Sequence, residues 1–397
     1  MVSESELIRP ARGTRPSNRR QLIIDAAVDL FTQRGYAEVA MSDVAAAVAI
    51  GPSALYRHFR GKQDLLAVAI DHELAQFVEV VQACATDPHG DVTTRLATAV
   101  LDHRGVGVLW RREARNLRPA DAAAFRASAR RIAETLSGVI RERRPSLAAT
   151  QSDLLAWCAM AAANSVSFHN LSLPEPDFTR ILAQLISVVI DAEIPAPRDA
   201  IEDARDTGRL EIQSRREMIL THAVPLFAAK GFAAVSVDDI GAATGITGSS
   251  VYNHFDTKTD ILAAAITRGD EWLRIEMHRT FAHTGDPRKG LAELLTGYCT
   301  FALDNPRLMQ ILISETGHLP EPQRHRARSA QYTYITEWVH LLLRIHPTWD
   351  ATPTRIRVQA ALTMINDAAI TPHRWHRHSL DAALTGIGAQ MLALAEA

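Results

Sequence analysis

The sequence is poor in the residues that build disulfide frameworks and zinc sites. Three cysteines occur in 397 residues, and they lie far apart, with no CxxC pair and no spacing of Cys and His that is typical of zinc. We therefore expect Cys84, Cys158 and Cys299 to be small buried side chains in a reducing compartment.

Sequence signatures of catalysis are missing as well. There is no GxSxG, Walker, HExxH or GxGxxG pattern, and the runs GVG at 105–107 and GIG at 386–388 lack the rest of any phosphate-binding loop. The tract PHRWHRH at 372–378 has no acidic or cysteine ligand nearby, and it suits a polar helix end equally well. We expect no enzyme, no catalytic residue, no cofactor and no metal.

Long hydrophobic runs are also absent. No stretch offers the roughly 18 uninterrupted apolar residues of a membrane span, and the first residues, MVSESELIRPARGTR, lack the apolar core of a secretory signal. We therefore place the protein in the cytoplasm, associated with the nucleoid. The formal net charge is −2, so any nucleic-acid surface must be local. Such a patch lies within residues 7–24, which contain no acidic residue and carry Arg9, Arg12, Arg15, Arg19 and Arg20.

What the sequence does contain is an internal repeat. The stretch SALYRHFRGKQDLL at 53–66 returns as SSVYNHFDTKTDIL at 249–262, and the pairing continues without a gap on both sides. Chance does not produce such a match, so the chain consists of two related units in tandem.

Each unit opens with three helical patterns. SNRRQLIIDAAVDLFTQRG and SRREMILTHAVPLFAAKG carry apolar residues at helical spacing and stop at a glycine suited to a left-handed C-cap. The alanine-rich runs SDVAAAVA and SVDDIGAAT follow, and then IGPSALYRHF and ITGSSVYNHF. Two short helices joined by a tight turn are typical of a helix-turn-helix. The remaining segments are also helical in period, so we predict an all-α fold of two tandem units.

A linker with several prolines and dense charge separates the two units. Its length leaves room for the units to lie side by side. The predicted segments are a basic arm at 1–16, a first DNA-binding head at 17–66, a first helical effector and dimerisation domain at 67–192, the linker at 193–212, a second head at 213–262, and a second helical domain at 263–397.

The second short helix of each motif presents a polar face that suits a DNA groove. Early residues of such a helix reach base edges in the major groove, where Arg pairs well with guanine and Asn with adenine. The predicted base-reading residues are Pro52, Ser53, Ala54 and Arg57 in the first unit, and Gly248, Ser249, Ser250 and Asn253 in the second. Phosphate contacts are predicted for Arg19, Arg20, Ser42, Tyr56, His58 and Lys62, and for Arg215, Ser236, Tyr252, His254 and Lys258.

The spacing Tyr-x-His-Phe-x-x-Lys occurs in both units, and this repetition favours DNA binding over a core-edge tyrosine and a surface histidine. The surrounding runs, DVAAAVAIGPSALYRHFRGKQDLL and DIGAATGITGSSVYNHFDTKTDIL, resemble the helix-turn-helix signature of the TetR family of bacterial transcriptional regulators. The resemblance is strong over residues 17–66 and 213–262. It implies that the C-terminal helical domains bind a small molecule and move the heads out of register with the DNA grooves.

A narrower resemblance rests on the two heads in one chain, together with VLWRREARNL at 108–117 and HNLSLP at 169–174. These features look like the tandem TetR repressors of lipid-import, or mammalian-cell-entry, operons and of lipid-catabolism genes. That resemblance implies a small apolar effector, such as a fatty acyl or sterol-derived lipid. From the residues alone, helix packing and a solvated face account for Arg111, Arg112 and Arg115.

Duplication changes what the two heads can read. TetR-family members ordinarily carry one head per chain and dimerise on a near-palindromic operator, whereas here the dimer is covalent and each head is free to diverge. We therefore expect an intramolecular pseudo-dimer that represses from an asymmetric operator, with further self-association open. The alternative is an architectural or co-regulatory DNA-binding protein without a small-molecule effector.

Aromatic residues in the two helical domains are candidates for an effector pocket. Core packing accounts for any single one of them better than a ligand does. The candidates are Trp110, Phe125, Trp157 and Phe168 in the first domain, and Trp272, Tyr298, Phe301 and Trp338 in the second.

One position departs from the family's pattern. Family members usually place Ser or Thr at the cap of the first motif helix, as Ser236 does, but its counterpart in the first unit is Ala40. We therefore expect the first unit to cap this helix with Ser42 or to begin it a residue or two later.

Overall fold

The computed structural model describes residues 18–195, 213–371, 375 and 377–394. Throughout these residues the chain is helical, with no β-strand, which confirms the predicted all-α fold. The basic arm, part of the linker and four residues of the PHRWHRH tract fall outside the described residues, and so do the predictions made for them.

Residues 18–195 form the first half, in which nine α-helices follow one another. They are α1 (Arg19–Arg34), α2 (Met41–Ala47), α3 (Pro52–Leu55), α4 (Lys62–Thr86), α5 (Val92–Asp102), α6 (Val106–Val108), α7 (Pro119–Arg143), α8 (Ala149–Asn164) and α9 (Asp177–Ile190). A π-helical turn at Leu109–Glu113 and a 3₁₀ turn at Ala114–Asn116 follow α6, and another 3₁₀ turn at Ser165–Phe168 follows α8.

The second half repeats this order within the described residues from 213 onward. Its helices are α10 (Arg215–Lys230), α11 (Val237–Ala243), α12 (Gly248–Val251), α13 (Lys258–His283), α14 (Pro287–Asp304), α15 (Pro306–Ser314), α16 (Glu321–Ile345), α17 (Ala351–Ile370) and α18 (Arg377–Met391), with a 3₁₀ turn at Thr316–His318. In each half the first three helices and the start of the fourth form the head, and the remaining helices form the body.

The first helix of each head buries one stripe of apolar side chains and ends at a glycine. In α10 the buried stripe contains Ile219, Ala223 and Phe227, at the spacing expected for one face of a helix. Gly35 and Gly231 end α1 and α10 with φ values of +86° and +80°. Side chains are rarely tolerated at such φ values, which explains why the glycine occurs in both units.

The two bodies pack against each other through their last two helices, α8 and α9 against α17 and α18. Helix α8 is apolar on nearly all sides and is rich in alanine, so the backbone of α17 can approach closely. Cys158 lies in this helix as a buried free thiol, and Cys84 and Cys299 are also free and buried, as the sequence indicated. The first head and both bodies share one continuous hydrophobic core, whereas the second head has a smaller cluster of its own.

The prediction that α2 is capped by Ser42, or begins a residue or two later than α11, is wrong. Helix α2 begins at Met41 with Ala40 at its cap, and α11 begins at the matching residue with Ser236 at its cap. The Asp43 carboxylate accepts the backbone N–H of Ala40 at 2.7 Å, so half of a capping box fixes the helix start without a hydroxyl. Ser42 lies inside the helix, exposed to solvent, and does not cap it.

The two heads differ in the side-chain caps at the starts of their second, third and fourth helices. In the second head, hydroxyl oxygens of Ser236, Thr247 and Thr257 accept N–H groups of the first turns of α11, α12 and α13 at 3.0, 3.3 and 3.1 Å. The matching residues of the first head are alanine and two glycines, and none offers a side-chain cap. A hydroxyl cap stabilises a helix by about 1 kcal/mol relative to Ala and by only a few tenths relative to Gly, so these caps favour the helix starts of the second head.

We expect Ser236→Ala to lower the free energy of opening of α11 by about 1 kcal/mol, because an N–H group loses its acceptor. The reciprocal change, Ala40→Ser, should raise the free energy of opening of α2 by a similar amount, because Asp43 already supplies the other half of the capping box. Native-state hydrogen exchange of the two helices measures both effects. Ser42→Ala serves as the control, and a loss in α2 as large as that caused by Ser236→Ala in α11 would contradict this assignment.

Candidate nucleic-acid interface

Helices α3 and α12 present most of the predicted base-reading residues to solvent. Pro52, Ser53 and Arg57 are exposed in the first head, and Ser249 and Asn253 are exposed in the second; Ala54 and Ser250 are half-buried. Arg57 and Asn253, which differ between the heads, therefore occupy matching exposed positions two residues after the ends of these short helices.

Gly248 does not belong to this exposed face, so its predicted role in base reading is wrong. Its backbone is buried against α11, where a side chain would collide with Asp238. A side chain on Gly241 of α11 would in turn come within 2.8 Å of the Gly248 nitrogen. The two glycines thus permit a close crossing of the two motif helices.

Tyr56 and Tyr252 lie at the outer surface of the heads. They are 56% and 54% exposed, although their neighbours Leu55 and Val251 are buried. A tyrosine packed at the edge of the core would be largely covered, so this exposure favours the predicted phosphate contact. His58 is exposed as well, and His254 is half-buried.

The structure brings the arginines of the first helices to the motif. Arg20 lies over the ring of Phe59 at 5.3 Å, and Arg216 lies over the ring of Phe255 at 3.9 Å. Arg216 also donates to the carbonyl oxygen of His254 at 2.6 Å. Arg19 and Arg215 precede these residues at the helix starts, and Ser236 caps α11 from an exposed position.

Lys62 and Lys258 have local partners that the sequence did not indicate. The ammonium of Lys258 donates to the carbonyl oxygens of Phe232 and Val235 at 2.8 and 2.7 Å, and that of Lys62 donates to Ala37 at 3.3 Å. Burial lowers the pKa of both ammonium groups. Each lysine therefore fastens the loop after the first helix of its own head, and a phosphate contact stays a prediction.

A buried glutamate from each body holds the same loop from the other side. Glu113 accepts the backbone N–H of Tyr36 at 3.0 Å, and Glu315 accepts that of Phe232 at 3.1 Å. Both glutamates are almost fully buried. The two glutamates accept hydrogen bonds from equivalent residues of the two heads. This contact is therefore the common junction between head and body in the two halves. Sequence reasoning missed it, although Glu113 lies in the run VLWRREARNL.

The arginines around Glu113 do not form a solvated face, so that interpretation of them is wrong. Arg111 pairs with Asp367 of the second half, and Arg112 pairs with Glu113 at 2.7 Å. Burial raises the pKa of Asp367, and Arg111 opposes that rise. Such buried charges are held in place by their partners, since an unpaired charge in the interior costs several kcal/mol.

Arg115 makes the junction between head and body asymmetric. It pairs with Glu315, the glutamate that holds the second head, and also donates to Ser314 Oγ at 3.3 Å. Burial lowers the pKa of this guanidinium. The first body therefore contacts the junction of the second head directly, whereas the arginine on Glu113 comes from the first half itself.

A cavity of about 2260 Å³ lies between the heads and the two bodies. Five of the predicted pocket residues line it, namely Trp110, Phe125, Trp157, Phe168 and Tyr298. The other three do not, and their prediction as pocket residues is wrong. Trp272 stacks on Phe301 with ring centroids 4.5 Å apart on another side of α13, and Trp338 is fully buried.

The two heads define the class of protein. The family model described as "Bacterial regulatory proteins, tetR family" matches residues 23–69 and 219–265. The chain therefore carries two copies of the helix-turn-helix head of TetR-family regulators, as the repeated motif predicted.

Individual relatives resemble parts of the chain. The HTH-type transcriptional repressor Rv3405c of Mycobacterium tuberculosis is 33% identical over 117 residues, which cover 26% of this chain and 61% of that protein. The chain thus spans about three fifths of the length of the first relatives that it matches. The HTH-type transcriptional repressor KstR2 of Rhodococcus jostii is 27% identical over 181 residues, or 45% of this chain and 88% of that protein.

Solved structures match one half of the chain at a time. A TetR-family transcriptional regulator from Bordetella parapertussis is 20% identical, with a TM-score of 0.43, over 45% of this chain and 95% of that one. Among the described residues, no helix is long and apolar enough to cross a membrane.

We expect Lys258→Met to destabilise the second head by about 1–3 kcal/mol, because two buried carbonyl oxygens lose a charged donor. Lys62→Met should destabilise the first head less, because the hydrogen bond from Lys62 to Ala37 is a single one and is longer. Hydrogen exchange of the loops that follow α1 and α10 measures this difference. The salt dependence of DNA binding tests the phosphate contact separately, with a slope lower by about one unit expected for each lysine that reaches a phosphate. Equal losses of protection in the two heads would contradict the local role.

Proposed function

We propose that the protein is a sequence-specific DNA-binding transcriptional regulator with two non-identical heads in one chain. The observation that supports this most directly is the matched exposure of two motif helices that differ at Arg57 and Asn253. Arginine suits guanine and asparagine suits adenine in a major groove. The names of the relatives, which are transcriptional regulators and not enzymes, support the same function.

We also propose how each head meets its half-site. Pro52, Ser53 and Arg57 read bases in the first head, and Ser249, Ser250 and Asn253 read bases in the second. Tyr56 and Tyr252 contact phosphates together with the arginines that lie over Phe59 and Phe255. Phosphate contacts set the register of a head, whereas base contacts give specificity, so the two heads prefer different half-sites.

The minimal binding unit is one chain on an asymmetric operator. Packing of the bodies through their last two helices fixes the heads relative to each other, as the interface of a homodimer does. The segments outside the heads act as effector and dimerisation domains under this proposal. The protein functions in the cytoplasm, on DNA.

The regulator is a repressor that a small apolar molecule releases, and a fatty acyl or sterol-derived lipid is the class that we propose. The aromatic residues Trp110, Phe125 and Trp157, which line the cavity, support an apolar ligand. A KstR2 structure from Mycobacterium tuberculosis is described as a ketosteroid regulator, which concerns that protein alone. An architectural or co-regulatory protein without an effector has the same heads, and ligand-dependent release from DNA separates the two functions.

We expect Arg57→Ala and Asn253→Ala to relax base preference in different half-sites, each at a cost of about 1–3 kcal/mol if the contact is bidentate. Binding to a panel of base-substituted operators, selected from DNA upstream of the gene, measures both effects. Arg180→Ala is the control, because this exposed arginine of α9 lies in a body and pairs with Asp177. Identical base preferences for the wild type and both head variants would contradict the assignment.

A further inference from the structure

The interiors of the two bodies differ at matched positions. We matched equivalent helices of the two bodies by aligning their ends. Helices α4 and α13, and likewise α7 and α16, are aligned at their first residues, and α5 and α14 are aligned at their last residues. The matched residues of the first and second bodies are Leu74 and Asp270, Leu96 and Tyr298, Ile132 and Tyr334, Thr135 and Glu337, and Leu136 and Trp338.

This difference fills the space beside α4 in the first body and leaves the matching space beside α13 open in the second. Leu74, Leu96, Ile132 and Leu136 are all buried in the core, and no residue of α4, which is described in full, lines the cavity. In the second body α13 does line it, through residues that include Asp270 and Met277. The second body therefore contains a chamber of the cavity that aliphatic side chains fill in the first.

Aromatic rings form one wall of this chamber. The ring centroids of Tyr298 and Tyr334 lie 6.2 Å apart, and Trp338 packs behind them at 6.0 and 5.9 Å. The hydroxyl of Tyr298 donates to Asn366 Oδ1 at 2.7 Å, which fixes the ring. Preorganised aromatic faces of this kind attract organic cations, because the face of the ring carries partial negative charge.

Carboxylates complete the chamber. Asp270 lines it from α13 and Glu337 lines it from α16, and neither has a hydrogen bond or an ion pair with any described residue. Arg274, one turn after Asp270, also lines the cavity, but it does not pair with Asp270 within the described part of the chain. Burial, together with Glu271, raises the pKa of Asp270 to about 7. A half-buried carboxylate without a cation is costly, and a cationic ligand would relieve that cost.

We propose that the chamber of the second body binds an aromatic organic cation, with its protonated amine beside Asp270 and Glu337 and its ring against Tyr298 and Tyr334. This site differs in chemistry from the apolar effector proposed above. The inference goes beyond the proposed function, and its test contains no DNA, so the two can fail separately.

Three probes that share an indole ring test the charge preference. They are tryptamine, which is a cation, tryptophol, which is neutral, and indole-3-acetate, which is an anion. Titration calorimetry with the full chain should give an affinity for tryptamine about tenfold higher than for tryptophol, since hydrogen bonds to charged groups are stronger than neutral ones. Indole-3-acetate should bind most weakly.

Asp270→Asn keeps the shape of the side chain and removes its charge, so the preference for tryptamine over tryptophol should fall, with only Glu337 left beside the amine, while the affinity for tryptophol stays the same. The matched control is Asp71→Asn, at an exposed carboxyl of α4 that does not line the cavity. Equal affinities for the three probes, an effect of Asp71→Asn as large as that of Asp270→Asn, or no binding of tryptamine at low millimolar concentration would overturn the proposal.

Discussion

The packing of α8 against α17 is the constraint on which the rest of the structure depends. Each helix is buried along most of its length, and the small side chains of α8 let the two backbones approach closely. Arg357 of α17 adds a contact with the neighbouring α9, since it donates to Gln184 Oε1 at 3.2 Å. Because the bodies cannot separate without exposing this core, the positions of both heads are set within one chain.

Duplication has let the two halves differ where a homodimer cannot. The second head has three hydroxyl caps that the first lacks, and its junction with the body receives Arg115 from the other half. The second body also keeps a chamber that aliphatic residues fill in the first. The halves thus share a fold and differ in the capping of the head helices, in the junction and in the lining of the cavity.

The heads could be predicted from the sequence because their signals are local. Helix periods, glycine stops and the spacing from Tyr56 to Lys62 all lie within a few turns of one another. The junction could not be predicted, because Glu113 and Glu315 bind N–H groups 77 and 83 residues away. Gly248 was misassigned for a related reason, since its role depends on how closely α11 approaches. No sequence pattern around Asp270 marks it as a binding residue. Its significance appears only when it is compared with Leu74, the matching residue of the first body.

We propose that one chain forms the complete binding unit. Analytical ultracentrifugation of the full chain with a duplex that carries its operator tests this claim most directly, with nuclease protection on the same duplex to show the symmetry of the site. The account predicts one chain per duplex over an asymmetric site. Two chains per duplex over a palindrome would contradict it, because each head would then require an identical copy from another chain.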